Sequence, residues 1–433
     1  MAIHCSDELR QWLEQVTGGQ LVRAEQPTAG ASRDARIIDC ERNDETLKLF
    51  CLRDKQGNGS AKDAAVLSEL AKHGIPVPEV IAEDSEQGLI LLKRIEGDST
   101  LEQTHRDEVG AHLMQVCAAL HSIPVEQLNI PHLNTPASQQ SGIVQQLAQI
   151  EQALGALGEE AHPLFVAGLK YLQQHIPTSE APFSLVHSDM GPGNFLHNGK
   201  QVLAVLDWEI AHYGDAMEDL AALAVRDMAT PIGALETKFS VYTNATGRPV
   251  DIDRVAYFRL LILVRNSTMI TLGLKYPPTD FDHLDMTRYQ ALLMRAAALC
   301  LCDVLGVERP ELEQANEAGN SSHNEQAASA LSQAMQRQLE QMAANSEGLA
   351  KRQAEDLKAA LLDISNTPNP TKLSDELIDA AILKQLKDDK PLNTEQWQQL
   401  ATELVDATQQ QCIERANLMG ERFHRLPQAL PQR

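Results

Sequence analysis

The chain has 433 residues, enough for about three domains or lobes and for a sizeable core. Sixty acidic side chains against 37 basic ones leave a net charge of −23. That balance argues against functions that need a broad positive field, such as non-specific nucleic-acid binding or attachment to an anionic membrane.

Hydrophobic residues make up 43% of the chain but aromatics only 4%, so aliphatic side chains must dominate the core. No apolar run approaches the ~20 residues of a membrane helix; the longest aliphatic run is Leu260 to Val264. The N-terminal residues Met1 to Glu8 lack the basic region and apolar stretch of a cleaved leader. The 7 cysteines are scattered, with no Cys-x-x-Cys pair. A reducing cytoplasm fits this pattern, with neither a membrane nor a nucleic acid as partner.

The chain opens with helical spacing over Ser6 to Val16, closed by Thr17-Gly18-Gly19. Strands are expected over Ala35 to Cys40 and Thr46 to Leu52, joined by polar residues 41–45. A helix over Lys62 to His73 stops before Pro76, and Leu89 to Leu92 reads as a further strand, followed by a turn at Gly97-Asp98. Helical patterns follow over Arg106 to His121, Ile143 to Leu157 and Leu164 to His175. A β-rich stretch, Ser184 to Trp208, interrupts them before helix resumes to Gly306. Past Arg309 a linker at Gly319 to Ser322 leads into Gln-, Ala-, Glu- and Leu-rich amphipathic helices. The expected parts are a strand-rich N-terminal part over 1–97, a helical part over 98–308 and a helical extension over 309–433.

The chemistry concentrates between His187 and Glu209. Asn198-Gly199 is a strong hairpin signal, because both central residues of such a turn need positive φ. The hairpin brings Asn194 and Asp207 to its open end. With a turn at 198–199, Asp207 lies beyond simple cross-strand register, so the loop from Asp189 to Asn194 must curl back through Gly191, Pro192 and Gly193. The result is a cluster of three oxygen-bearing side chains, Asp189, Asn194 and Asp207. Phosphoryl transfer needs such a cluster: hard oxygens hold Mg²⁺ against the phosphates, and a separate carboxylate orients the attacking hydroxyl and accepts its proton. Asp189-x-x-x-x-Asn194 has the spacing of a kinase catalytic loop.

His187-x-Asp189-x₄-Asn194, Val205-Leu206-Asp207-Trp208-Glu209, Gly214-Asp215 and Asp219-Leu220-Ala221 together resemble the aminoglycoside phosphotransferase and choline kinase superfamily. The resemblance covers roughly residues 20 to 305. It is nearest to the bacterial phosphotransferase group that includes domains fused to acyl-CoA dehydrogenases. It implies an α+β, protein-kinase-like two-lobe fold, with a small β-rich N-terminal lobe and a larger helical C-terminal lobe. It also implies an ATP- and Mg²⁺-dependent transfer to a hydroxyl of a small molecule, a hydroxyacyl-CoA or other metabolite, with an aminoglycoside or amino-sugar as the rival acceptor. Asp189 would be the base, with Asn194 and Asp207 the metal ligands and His187 a brace for the loop. Asp215 and Asp219 would be helix caps or loop braces.

By the same resemblance, Gly30 and Ser32 would form the phosphate-covering turn. Arg53 would contact the phosphates and pair with Asp63 of the following helix. Departures are the lone Gly30, an Arg–Asp pair where relatives use Lys and Glu, and Ser188 where relatives carry Gly. A contrasting reading is a nucleotide-binding pseudokinase scaffold. The extension over 309–433 is the candidate surface for self-association or a protein partner.

Overall fold

A computed structural model describes residues 5–26, 34–54, 59–131, 133–158, 161–178, 181–276 and 283–305. The helices expected beyond residue 305 lie outside the described residues, as do Gly30 and Ser32. The chain divides into two compact units, one drawn from 1–143 and 177–259, the other from 144–176 and from 260 onward.

In the first unit, helix α1 (Asp7–Thr17) starts where the Ser6 hydroxyl accepts the Leu9 N–H and ends at Gly18, in the left-handed region with φ +64. Strands β1 (Gln20–Glu25), β2 (Asp34–Arg42) and β3 (Glu45–Arg53) follow. Asn43 and Asp44 turn β2 into β3, with φ of +51 and +63, the geometry that fits the twist of a two-residue hairpin. Helix α2 (Ser60–Lys72), β4 (Val80–Asp84) and β5 (Leu89–Lys93) complete a five-stranded antiparallel sheet of order β1-β2-β3-β5-β4.

The sheet alternates cleanly. Leu49 and Cys51 of β3, Leu89 and Leu91 of β5, and Ile38 and Cys40 of β2 pack with Leu9, Trp12 and Leu13 of α1. The intervening residues Ile37, Phe50, Leu52, Ile90 and Leu92 line a cavity on the other face. Because β5 is covered on both faces, it reads as an unbroken apolar run in sequence.

The chain then builds α3 (Arg106–His121), α4 (Gln139–Leu157), α5 (Pro163–Gln174), β6 (Ser184–Val186), β7 (Phe195–His197), β8 (Val202–Val205) and β9 (His212–Gly214). Helices α6 (Met217–Asp227), α7 (Leu235–Thr246), α8 (Ile252–Lys275) and α9 (His283–Leu305) end the described chain. In the first unit, α3 packs against α7, β6 and β8; β6 pairs with β9, and β7 with β8. His112 of α3 accepts the Val202 N–H through Nδ1, and burial pushes its pKa down, so the ring stays a neutral acceptor. In the second unit, α5 packs on α9, and the Tyr171 hydroxyl donates to the Val304 carbonyl at 3.1 Å.

Most expected helices and strands fall within a few residues of their observed bounds, and the mixed α+β class holds. Three strands were not expected. β1, β4 and β9 are short or mixed in polarity, so they carry no clear period. The turn expected at Gly97-Asp98 is instead a bridge, in which Asp98 and His197 exchange backbone hydrogen bonds of 2.8 and 2.9 Å. Helix α8 is long and apolar enough to cross a membrane, with a mean hydropathy of 1.3 over its most apolar window. That differs from the expectation drawn from apolar runs alone. Leu260 to Val264 are at most 1% exposed, so this part of α8 is apolar because it is buried within the protein.

The α1–sheet contact gives a direct test. Leu13 has no exposed surface. Leu13→Ala should lower stability by about 2–5 kcal/mol, read as a lower urea midpoint by circular dichroism.

Candidate active site

The site begins where β6 ends. The His187 N–H donates to Asp219 Oδ2 at 3.0 Å and the Ser188 N–H to Asp219 Oδ1 at 2.6 Å. Those two bonds turn the chain sharply. Ser188 takes a left-handed φ of +67, which a non-glycine residue adopts at a cost. Its hydroxyl donates to the buried carboxylate of Glu218, so the amide and side chain together hold the strained conformation. Serine in place of glycine is accommodated by an added polar contact.

His187 braces the loop from inside. Its Nε2–H donates to the Leu206 carbonyl at 2.7 Å, while Nδ1 accepts the Asp189 N–H at 3.2 Å. The ring lies 4.7 Å from the Trp208 ring, centroid to centroid. Behind it, His121 Nε2–H donates to Asp219 Oδ2 at 3.0 Å and the Tyr242 hydroxyl donates to His121 Nδ1 at 3.0 Å. Burial pushes the Tyr242 phenol above its ordinary range, which keeps it a neutral donor. Cys117, His121 and Asp219 lie close enough for a metal to bridge. Both His121 nitrogens and both Asp219 oxygens are already engaged in hydrogen bonds, and burial pushes the Cys117 thiol up, so this cluster is a structural brace.

The structure brings Asp189 and Asn194 together. Asn194 Nδ2 donates to the Asp189 carbonyl at 2.9 Å and to Asp189 Oδ2 at 2.8 Å. This turns the amide nitrogen toward Asp189 and leaves Oδ1 as the acceptor available to a cation. The Asn194 carbonyl accepts the Leu206 N–H at 2.8 Å, which sets Asn194 beside Asp207 along the hairpin. The register expected from the sequence is corrected here. Phe195 pairs with Val205, the turn spans residues 198–201, and a bulge follows at Leu203. Asn198 Oδ1 accepts the N–H groups of Lys200 and Gln201, which stabilises the longer turn. Asp207 is therefore reached by the hairpin register itself, with φ +64 at that residue.

Asn194 and Asp207 both line the cavity beneath the sheet, a space of about 730 Å³. Its walls are Phe50, Leu52, Ile90 and Leu92 on one side and Leu196, Leu206 and Trp208 on the other, with Lys93 to Ile95 at its edge. This size and mostly apolar lining suit a nucleotide-sized ligand. Among the described residues, no hydrogen bond or ion pair engages the Asp207 carboxylate. Such a hard oxygen, on the same cavity as Asn194, fits a Mg²⁺ ion.

The N-terminal candidates behave differently. Asp63 lines the cavity. Arg53 pairs with Leu89 across the ladder and, by strand alternation, shares the face of Leu49 and Cys51 rather than that of Phe50 and Leu52. Its Nε is buried without a hydrogen bond, and no ion pair joins it to Asp63 among the described residues. The structure thus does not bring Arg53 to the cavity.

One side chain that holds Asp189 was not among the residues the sequence pointed to. Arg226, in the last turn of α6, donates through Nε to Asp189 Oδ1 at 2.8 Å and through Nη2 to Asp189 Oδ2. Its Nη1 donates to the Pro192 carbonyl at 2.8 Å. A basic residue at the end of a helix ordinarily complements the helix dipole, so it carried no separate signal. Its spacing of seven from Asp219 does put both on one helix face. Asp215 caps α6, accepting the Met217 N–H at 2.9 Å, and is ion-paired with Arg254.

Residues 40–255 match the model of the family described as Phosphotransferase enzyme family, APH. A thermostable mutant of aminoglycoside phosphotransferase APH(4)-Ia, solved in a ternary complex with AMP-PNP and hygromycin B, is similar with a TM-score of 0.52 and 16% identity, covering 67% of this chain and 98% of that one. A choline/ethanolamine kinase family protein from Mesorhizobium loti gives a TM-score of 0.50 and 18% identity, covering 68% and 92%. At such identities these structures establish the kinase-like fold alone. Among curated proteins, acyl-CoA dehydrogenase family member 10 of Mus musculus is 25% identical over 174 residues, 37% of this chain but only 16% of that relative's length.

Removing the Asp219 carboxylate should unfasten the loop. Asp219→Ala leaves three buried N–H donors, the His187 and Ser188 amides and His121 Nε2–H, without their acceptor and should cost at least about 3 kcal/mol. Hydrogen exchange at the His187 and Ser188 amides should rise with the loss of thermal stability.

Proposed function

Because this chain belongs over residues 40–255 to the phosphotransferase enzyme family, we propose that it is an ATP- and Mg²⁺-dependent kinase acting on a hydroxyl of a small molecule. The observation that carries this reading is the Asp189–Asn194 contact, with Asp207 beside it on the cavity. Asn194 Oδ1 and Asp207 would hold Mg²⁺. The ion would supply charge neutralisation at the β- and γ-phosphates. The apolar walls of the cavity would take the base. Asp189, hydrogen-bonded to Asn194 and partly exposed, would orient the acceptor hydroxyl and take its proton. On this reading 1–97 is the nucleotide-binding part and 98–308 the catalytic and acceptor part, with 309–433 left for self-association or a protein partner.

For the acceptor, hydroxyacyl-CoAs come first, because the curated relative is named as an acyl-CoA dehydrogenase family member. Amino-sugars come second, because a neighbour in fold holds hygromycin B. A second reading, a nucleotide-binding scaffold without transfer, draws support from Arg53, whose strand position turns it from the cavity.

The test is ATP consumption with Mg²⁺ across hydroxyacyl-CoAs, amino-sugars and other hydroxylated metabolites, comparing the native protein with Asp189→Asn. The kinase reading predicts stimulation by one acceptor class and a loss of about 10²–10⁴-fold in the variant, with nucleotide affinity little changed. Nucleotide binding without transfer to any acceptor would favour the scaffold.

A further inference from the structure

We propose that Arg226 is the positioning residue of the catalytic loop, holding the Asp189 carboxylate so that Oδ1 is the atom that receives the acceptor's proton. This role rests on the reading of Asp189 as the base.

A carboxylate has a fixed hydrogen-bond capacity. Each oxygen has two acceptor sites. Asp189 Oδ2 takes two donors, Arg226 Nη2 and Asn194 Nδ2. Asp189 Oδ1 takes one, Arg226 Nε at 2.8 Å. Among the described residues, the remaining site is on Oδ1. The side chain of Asp189 is 27% exposed, so that site can be reached from solvent. In the transfer, the acceptor oxygen bonds to the γ-phosphorus of ATP, the bond from that phosphorus to the ADP oxygen breaks, and the acceptor's proton passes to Oδ1.

A planar guanidinium bound through two nitrogens fixes both the position and the plane of the carboxylate. Its third contact, Nη1 to the Pro192 carbonyl, ties the same group to the loop backbone. The loop is shaped to admit it. Gly191 has a φ of +140, and a Cβ there would come within 2.9 Å of Arg226 Cδ. Gly193 has a φ of +95, and a Cβ there would lie 3.2 Å from Nη1. Two glycines in the loop therefore make room for one arginine. The arginine is anchored in turn by its helix. Asp219 and Arg226 share one face of α6, so a single rigid element holds the loop at its start and at its base.

The test uses the full chain and four variants: Arg226→Lys, Arg226→Ala, Asp189→Asn and the double variant Asp189→Asn/Arg226→Ala. Three quantities are measured: ATP turnover with Mg²⁺ over the same acceptor panel, binding of a fluorescent ATP analogue, and melting temperature. Arg226→Ala should lose about 100-fold in turnover with nucleotide affinity retained, because a misplaced base costs that much without touching the binding site. Arg226→Lys should keep the charge and fold yet stay well below the native rate, since an ammonium cannot fork. Added guanidinium ion should restore part of the activity of Arg226→Ala, and the double variant should be no slower than Asp189→Asn. Turnover in Arg226→Ala near that of the native protein, with Asp189→Asn inactive, would overturn the role of Arg226 and leave the kinase reading standing. Loss accompanied by weakened nucleotide binding and a lower melting temperature, without guanidinium rescue, would reduce Arg226 to a structural residue and overturn the proposal. A native protein with no turnover on any acceptor would remove the reading on which the proposal rests, and the proposal with it.

Discussion

Two consecutive backbone N–H groups, those of His187 and Ser188, point at the two oxygens of one buried carboxylate, Asp219, and the path of the chain beyond β6 is decided there. A buried carboxylate needs donors on both oxygens, and strand ends offer unpaired amides, so each solves the other's problem. The price is a left-handed serine, held by its own hydroxyl on Glu218. The residues proposed to carry the chemistry are placed from that bend onward. Asp189 is placed next, Asn194 closes back on it, and the hairpin returns Asp207 to the same cavity.

Helix α6 is the frame for this arrangement. Its N-terminus is capped by Asp215, its first turns supply Glu218 and Asp219, and its last turn supplies Arg226. A helix rises about 1.5 Å per residue, so the span from Asp219 to Arg226 is about 10 Å. A rigid rod with acceptors at one end and a forked donor at the other can define a loop that has little regular structure of its own. The buried His121–Tyr242 pair carries the same restraint back to α3 and α7.

Much of this was legible in the sequence, for identifiable reasons. Short-range features survive translation into structure. The Asp189 and Asn194 spacing, the helices with clear apolar periods and the apolar run of β5 all depend on neighbours along the chain. Features that depend on distant contacts were hidden. The hairpin register shifted because the Asn198 side chain caps a longer turn than Asn-Gly alone suggests. Arg53 follows the strand expected over Thr46 to Leu52 and ends β3, but a strand's period of two leaves no tolerance, and the face toward the cavity belongs to Phe50 and Leu52. Arg226 lies 37 positions from its partner, where an isolated arginine in a helix carries no mark of its role.

On the proposed reading, Asn194 and Asp207 make the cavity a metal–nucleotide site. Titration calorimetry of ATP into the protein, with and without Mg²⁺, tests it most directly when repeated on Asp207→Ala. The expected result is one nucleotide per chain, bound more tightly with Mg²⁺, and an Mg²⁺ effect that disappears in the variant. ATP that fails to bind, or that binds equally well to both proteins with and without the metal, would contradict it.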